Sequence, residues 1–174
     1  MSSCLDRKGV KTIVWDVDDV LNDLMYSWFH EYQETYNPTS TLKYQELSQN
    51  PPHEIIGITL KEYLCSLDEF RDSEKGRSLT PNKQVLNWLT KDGAKYRHVG
   101  LTARSKQTIP ALAEWTFHHF GDWIRTLSFI PANREGESLP VYDKSKTDFL
   151  KWLEKADFYV DDLSENVKEA EEIG

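Results

Sequence analysis

Three short apolar runs in this chain each stop at a residue able to bind or react. Thr12-Ile13-Val14-Trp15 ends at Asp16, His98-Val99-Gly100-Leu101 ends at Thr102, and Phe158-Tyr159-Val160 ends at Asp161-Asp162. Runs that are apolar without alternation predict strands buried on both faces, the state of a parallel sheet covered by helices. A further run, Leu127-Ser128-Phe129-Ile130, reads as another such strand. In an open parallel sheet the carboxyl ends of the strands share one edge, and ligands bind there. Residues far apart in sequence, Asp16, Asp18, Thr102, Asp161 and Asp162, are therefore expected to converge.

The stretches between the strands have helical signals. A helix is predicted from about Leu21 to Tyr36, stopped by Asn37-Pro38, because a residue preceding proline is pushed out of the helical region. Thr80-Pro81 reads as a helix start with threonine at the N-cap and Asp92-Gly93 as its end. Further helices are expected from about Thr108 to Phe120, from Lys146 to Lys155, and from a cap at Ser164 onward. Alternation of strands and helices at this spacing indicates right-handed βαβ units, an α/β, Rossmann-like parallel sheet flanked by helices. Residues 38–79 show no strong strand. They hold Pro51-Pro52, a helix candidate over Leu60 to Leu67 and the polar run Arg71 to Gly76, and read as a small helical insertion.

At 174 residues the chain suits one domain with an insertion and buries enough core to fold without disulfides or structural metals. The formal charge of -8 argues against a nucleic-acid polymer as partner, since phosphate backbones want a basic surface. No apolar run is long enough for a membrane span. Cys4 and Cys65 make no disulfide framework, Cys4 falls in an N-terminal tail expected to be mobile, and the start of the chain lacks the apolar core of a secretory signal. A reducing, cytoplasmic setting is expected; oligomeric state is not readable.

Three or four carboxylates, one hydroxyl and one lysine, Lys146, are expected at the shared edge. Carboxylates this close repel one another and take up protons unless a cation is present. Oxygen ligands of this kind suit Mg²⁺. Thr102 and the backbone N–H groups that follow it, at Ala103 and Arg104, suit phosphate oxygens, and Lys146 supplies fixed positive charge. Such a set can stabilise a transferring phosphoryl group on a small phosphorylated substrate.

These residues carry a resemblance. Val14-Trp15-Asp16-Val17-Asp18-Asp19-Val20-Leu21 resembles the first motif of the haloacid dehalogenase (HAD) superfamily of phosphatases, and Val99-Gly100-Leu101-Thr102 resembles its second. Lys146-Thr147-Asp148-Phe149-Leu150 resembles the third and Tyr159-Val160-Asp161-Asp162 the fourth, all in order from about residue 12 to 174. The resemblance implies a HAD-like core made of residues 1–21 and 80–174, with residues 22–79 as a small helical cap. It implies Asp16 as the nucleophile that forms an aspartyl-phosphate, and Asp18 as the acid and then base. Asp16, the backbone carbonyl of Asp18, and Asp162 would hold Mg²⁺; Thr102 and Lys146 would bind the phosphoryl group. Lys144 is the alternative to Lys146, and Asp161 a secondary ligand. Dehalogenases of the superfamily lack an acid at the place of Asp18, so its presence favours phosphoryl chemistry.

The Asp-Val-Asp-Asp-Val-Leu opening and the length of the insertion resemble deoxyribonucleotidase-like members, which makes a nucleotide a candidate substrate. Tyr26, Trp28, Phe29 and Tyr32 are candidates for stacking on a base, but at helical spacing the expected role is packing. Arg104 is a candidate for a second anionic group on the substrate. His118-His119 are adjacent on a helix and share no face, and His30, His53 and His98 have no metal spacing. Two rivals use the same residues: a phosphate- or nucleotide-binding regulatory protein without turnover, and a phosphotransferase or mutase. The chain ends at Gly174, where many relatives of that superfamily continue into a further strand, so the sheet is expected to be minimal or cut short.

Overall fold

The computed structural model describes residues 9–132, 134 and 138–173. The tail with Cys4 and the terminal Gly174 lie outside the described residues. Four strands, β1 (Thr12–Asp16), β2 (Arg97–Arg104), β3 (Ile124–Pro131) and β4 (Phe158–Val160), form one sheet in the order β3-β2-β1-β4, with every pairing parallel. Eight α-helices accompany them among the described residues: α1 (Leu24–Tyr36), α2 (His53–Ile56), α3 (Leu60–Asp72), α4 (Glu74–Arg77), α5 (Lys83–Asp92), α6 (Ile109–Phe120), α7 (Lys146–Leu153) and α8 (Ser164–Glu171). This is the α/β architecture expected from the uninterrupted apolar runs.

Side-chain alternation divides the core into two layers. Ile13 and Trp15 of β1 face one side, with Leu89, Leu112, Trp115 and Phe120 from α5 and α6. Val14 faces the other side with Val99, Leu101, Ile130 and, from α7, Phe149 and Leu150. Segment 22–79 holds helices and no strand, with irregular backbone over most of residues 37–52, and joins the first layer: Trp28, Phe29, Tyr63, Leu67 and Phe70 belong to the same buried cluster as Trp15. No helix among the described residues is long and apolar enough to cross a membrane.

Several boundaries differ from the sequence expectation, each for a local reason. Helix α1 begins at Leu24 rather than Leu21 because residues 17–21 close a separate turn, Leu21 N–H donating to Val17 O at 2.9 Å. The cap of α5 is Asn82, not Thr80: its side chain accepts from the N–H groups of Gln84 and Val85. Ser164 is the first residue of α8, with Leu163 at the cap position and no side-chain cap. Helix α3 continues five residues past Leu67, because Thr59 and Glu62 form a reciprocal capping box at its start and its last turn keeps burying Asp68, Phe70 and Arg71.

Candidate active site

Register brings the strand ends together. Asp16, the last residue of β1, lies opposite Leu101 of β2, so Thr102 follows beside it; Trp15 lies opposite Val160 of β4, so Asp161 and Asp162 follow on the other flank. Carboxylate oxygens of Asp16, Asp161 and Asp162 lie within 4.8 Å of one another. Lys146, the first residue of α7, extends its ammonium between two of them, 2.8 Å from Asp16 Oδ1 and 2.8 Å from Asp161 Oδ2. Lys146, rather than Lys144, is the lysine in contact with Asp16. Thr102 is buried near the end of β2, and Thr102, Ala103, Lys144 and Lys146 all line a cavity of about 430 Å³ above the strand ends, as do Asp16, Asp18 and Asp162.

The three carboxylates differ in their environments. Asp161 is fully enclosed and uses both oxygens: Oδ1 accepts from Leu163 N–H and Asn166 Nδ2 at 2.9 Å each, and Oδ2 accepts from Lys146 and the Tyr159 hydroxyl. Burial opposes its ionisation, but Lys146 and these donors hold its pKa below the ordinary value. Asp162 is exposed, and burial of its carboxyl together with the Asp161 charge raises its pKa. Asp16 is buried, and its Oδ1 accepts from Val17 N–H at 2.7 Å. Burial raises it to about 8, against the attraction of Lys146 and with repulsion from Asp161 and Asp18. One ammonium for three crowded carboxylates leaves negative charge unbalanced, so Asp16 tends to hold a proton when no cation is bound. All-oxygen donors with this residual charge fit a hard divalent cation, and Asp16 and Asp162 have the oxygens to spare for one.

Asp18 sits in a different network. Arg104, the last residue of β2, grips it with two parallel hydrogen bonds, Nε to Oδ2 at 2.7 Å and Nη2 to Oδ1, and Arg71 of α3 adds Nη2 to Oδ2 at 3.1 Å. Burial opposes ionisation of Asp18, but the two guanidiniums prevail and lower its pKa to about 2. Arg104 is therefore a buried strand residue bound to Asp18 and is not among the residues lining the cavity. Arg71 also donates from Nη1 to Asp68 Oδ1 at 3.1 Å, and Asp68 receives Arg134 Nε at 2.7 Å and Nη2 at 3.1 Å.

Residues 17–25 are held by polar contacts that the motif does not announce. Asp19 is left-handed with φ 60°, a conformation aspartate tolerates better than most residues. Its carboxylate accepts from Met25 N–H at 2.9 Å, while buried Asn22 accepts from Leu24 N–H at 3.0 Å, so both serve the start of α1 in place of a normal N-cap. Burial raises Asp19 to about 7 despite that hydrogen bond. Asn82 donates to Val20 O at 3.0 Å and fastens the loop to α5. Of the four candidate stacking aromatics, Trp28 and Phe29 are core residues, and none of the four lines the cavity; Tyr63 does.

No protein-family model matches the chain, and no curated protein matches it by sequence. Solved structures do match. A haloacid dehalogenase-like family hydrolase from Streptococcus pneumoniae superposes with a TM-score of 0.57 at 13% identity, covering 94% of this chain and 80% of that one. A hydrolase from Streptococcus pneumoniae TIGR4 gives 0.58 at 14% identity, covering 94% and 88%. A HAD-superfamily hydrolase, subfamily IA, from Geobacter sulfurreducens gives 0.50 at 14% identity, covering 93% and 82%. The chain shares the α/β fold of these HAD-like structures.

Proposed function

We propose that this HAD-like chain is a Mg²⁺-dependent phosphomonoester hydrolase that works on a small phosphorylated substrate through an aspartyl-phosphate at Asp16. The observation that carries this reading is the meeting of Asp16 of β1, Thr102 of β2, Lys146 of α7 and Asp162 of the loop after β4 around one cavity. Asp16 and Asp162, with the backbone carbonyl of Asp18, would hold the metal. A bound divalent cation supplies positive charge that keeps Asp16 ionised and offsets charge on the phosphoryl oxygens.

Asp16 attacks phosphorus; the Oδ–P bond forms as the bond to the leaving oxygen breaks. Lys146 and the Thr102 hydroxyl orient the phosphoryl oxygens and balance their charge. Water then attacks phosphorus, its proton passes to Asp18, and Asp16 and inorganic phosphate are released. Asp18 is ionised, the state that step needs, but its low pKa and its bonds to two guanidiniums make it a weak base, so it has to loosen from Arg104 and Arg71 to accept the proton of water. Donating a proton to the leaving oxygen in the first step requires it to take up a proton and loosen from Arg104 and Arg71.

The test is phosphate release from an aryl phosphate by the purified protein with Mg²⁺. EDTA is expected to suppress release and Asp16→Asn to abolish it; full activity in the Asn variant removes the covalent mechanism. Phosphate appearing on an added alcohol instead of in water identifies a phosphotransferase. Ligand-induced stabilisation without release across many phosphate esters identifies a binding protein.

A further inference from the structure

The cavity has two chemically distinct walls. Its strand-end wall carries Asp16 and Asp162 with Lys146, while Arg71 and Arg134 line it elsewhere. Arg71 comes from α3 of the inserted segment and is buried, 8% exposed. Among the described residues, Asp18 is shared between Arg104 and Arg71, and Asp68 between Arg71 and Arg134. Sharing leaves Arg71 with only part of each counter-charge. Its Nε–H is, moreover, buried with no hydrogen-bond acceptor. Buried donors of this kind are rare and costly, and a charged one more so. Arg71 lines the cavity, so an anion arriving there meets its guanidinium.

We propose that the substrate is a phosphomonoester bearing a second anionic group, a carboxylate or another phosphate, received by Arg71 and Arg134. This rests on the phosphatase reading above, with the ester phosphate at Asp16 and the second anion at the guanidiniums. Guanidiniums suit this task because their planar fork meets two oxygens of a carboxylate or phosphate at once. The cavity, at about 430 Å³, has room for a carbon skeleton beyond the phosphate itself. Its apolar lining, Met25, Leu64, Leu67 and Ile130 among it, suits a short hydrocarbon link between the two anions. The role that the sequence suggested for Arg104 thus passes to the two arginines that reach the cavity.

The test measures binding apart from turnover. The Mg²⁺-loaded full chain is titrated calorimetrically with three inert probes of one carbon skeleton: propylphosphonate, 3-phosphonopropionate and propane-1,3-bisphosphonate. The second anion is expected to tighten binding roughly 10- to 100-fold over propylphosphonate. Whichever of the two probes with a second anionic group binds more tightly tells carboxylate from phosphate. In Arg134→Gln that ratio is expected to collapse toward one. Arg71→Lys, which keeps the charge but loses the fork, is expected to reduce it in part. Equal binding of all three probes by the wild type, or a ratio unchanged in both variants, overturns the proposal; a general folding defect weakens all probes alike and leaves the ratio intact. Selective binding without phosphate release from the corresponding esters would sink only the hydrolase reading. Release without selectivity would sink only the subsite.

Discussion

Replacing Asp16 by asparagine removes the carboxyl whose protonation the fold disturbs most usefully, and the effect on stability can be worked out in advance. Burial lifts Asp16 from 3.8 to about 8, against the pull of Lys146 and with repulsion from Asp161 and Asp18. A folded pKa above the unfolded one means the folded chain keeps a proton that the unfolded chain has given up. Stability from this group is thus fully present below the unfolded value and is lost as pH rises through about 8. Each pH unit in that window is worth ~1.4 kcal/mol, so between about pH 5 and about pH 8 the metal-free wild type should lose roughly 4 kcal/mol on account of Asp16. The Asn variant has no such carboxyl and should lack this slope. Urea denaturation in EDTA across the window, wild type against Asp16→Asn, measures the difference directly. Adding Mg²⁺ should stabilise the wild type most at the alkaline end, where the emptied carboxylate most needs a counter-charge. Parallel pH profiles for the two proteins in EDTA would refute the reasoning.

Lys146→Met should destabilise the metal-free fold by about 3–5 kcal/mol, the usual cost of removing one partner from a buried ion pair, and lower phosphate release by about 10²-fold or more. Urea midpoints and release rates check the two effects separately. His98 lies between Trp15, whose Nε1 donates to its Nδ1 at 3.0 Å, and Gly93 O, which faces its Nε2 at 2.8 Å. An indole N–H only donates, so His98 Nδ1 is the acceptor and the ring is neutral. Burial lowers the His98 pKa, so its contribution is present above about pH 6.5 and lost as pH falls through the folded value. His98→Ala should flatten that acid-side loss and cost about 1–3 kcal/mol at neutral pH by orphaning the Trp15 donor, read from urea melts at several pH values.

The parts of the molecule that sequence reasoning reached are those with local causes. A strand buried on both faces is apolar almost throughout, so Thr12–Trp15 stands out; Phe158–Val160 is apolar too but forms a half-exposed edge strand, and the polar residue after each marks the carboxyl edge. Lys146 was readable because it opens a strongly amphipathic segment. The misses have non-local or competing causes. Thr80-Pro81 is a sound helix start, yet Asn82 takes the cap because it also reaches back to Val20 and Leu21. The arginine–carboxylate network has no sequence signature at all: Arg71 and Asp18 are 53 positions apart, Asp68 and Arg134 are 66, and only the docked α3 brings them together. Within the first motif, the spacing Asp-x-Asp gives no hint that the second aspartate is gripped from two directions.

The strand order has a consequence for how this protein comes into being on the ribosome. β1 precedes the other three strands in sequence, yet it lies in the interior of the sheet. One neighbour starts at Arg97, and the other, whose approach is marked by Asp157 accepting from Thr12 N–H at 2.7 Å, arrives 145 residues later. Contacts so distant along the chain form late and slowly. Asp16 therefore waits, beside an open edge, until residues 158–160 have emerged, and a nascent chain that stops short of β4 lacks Asp162 altogether. Under the Mg²⁺ reading proposed above, cation affinity becomes a clock for synthesis: it should be absent from every stalled intermediate lacking β4 and should switch on in a single step once that strand docks.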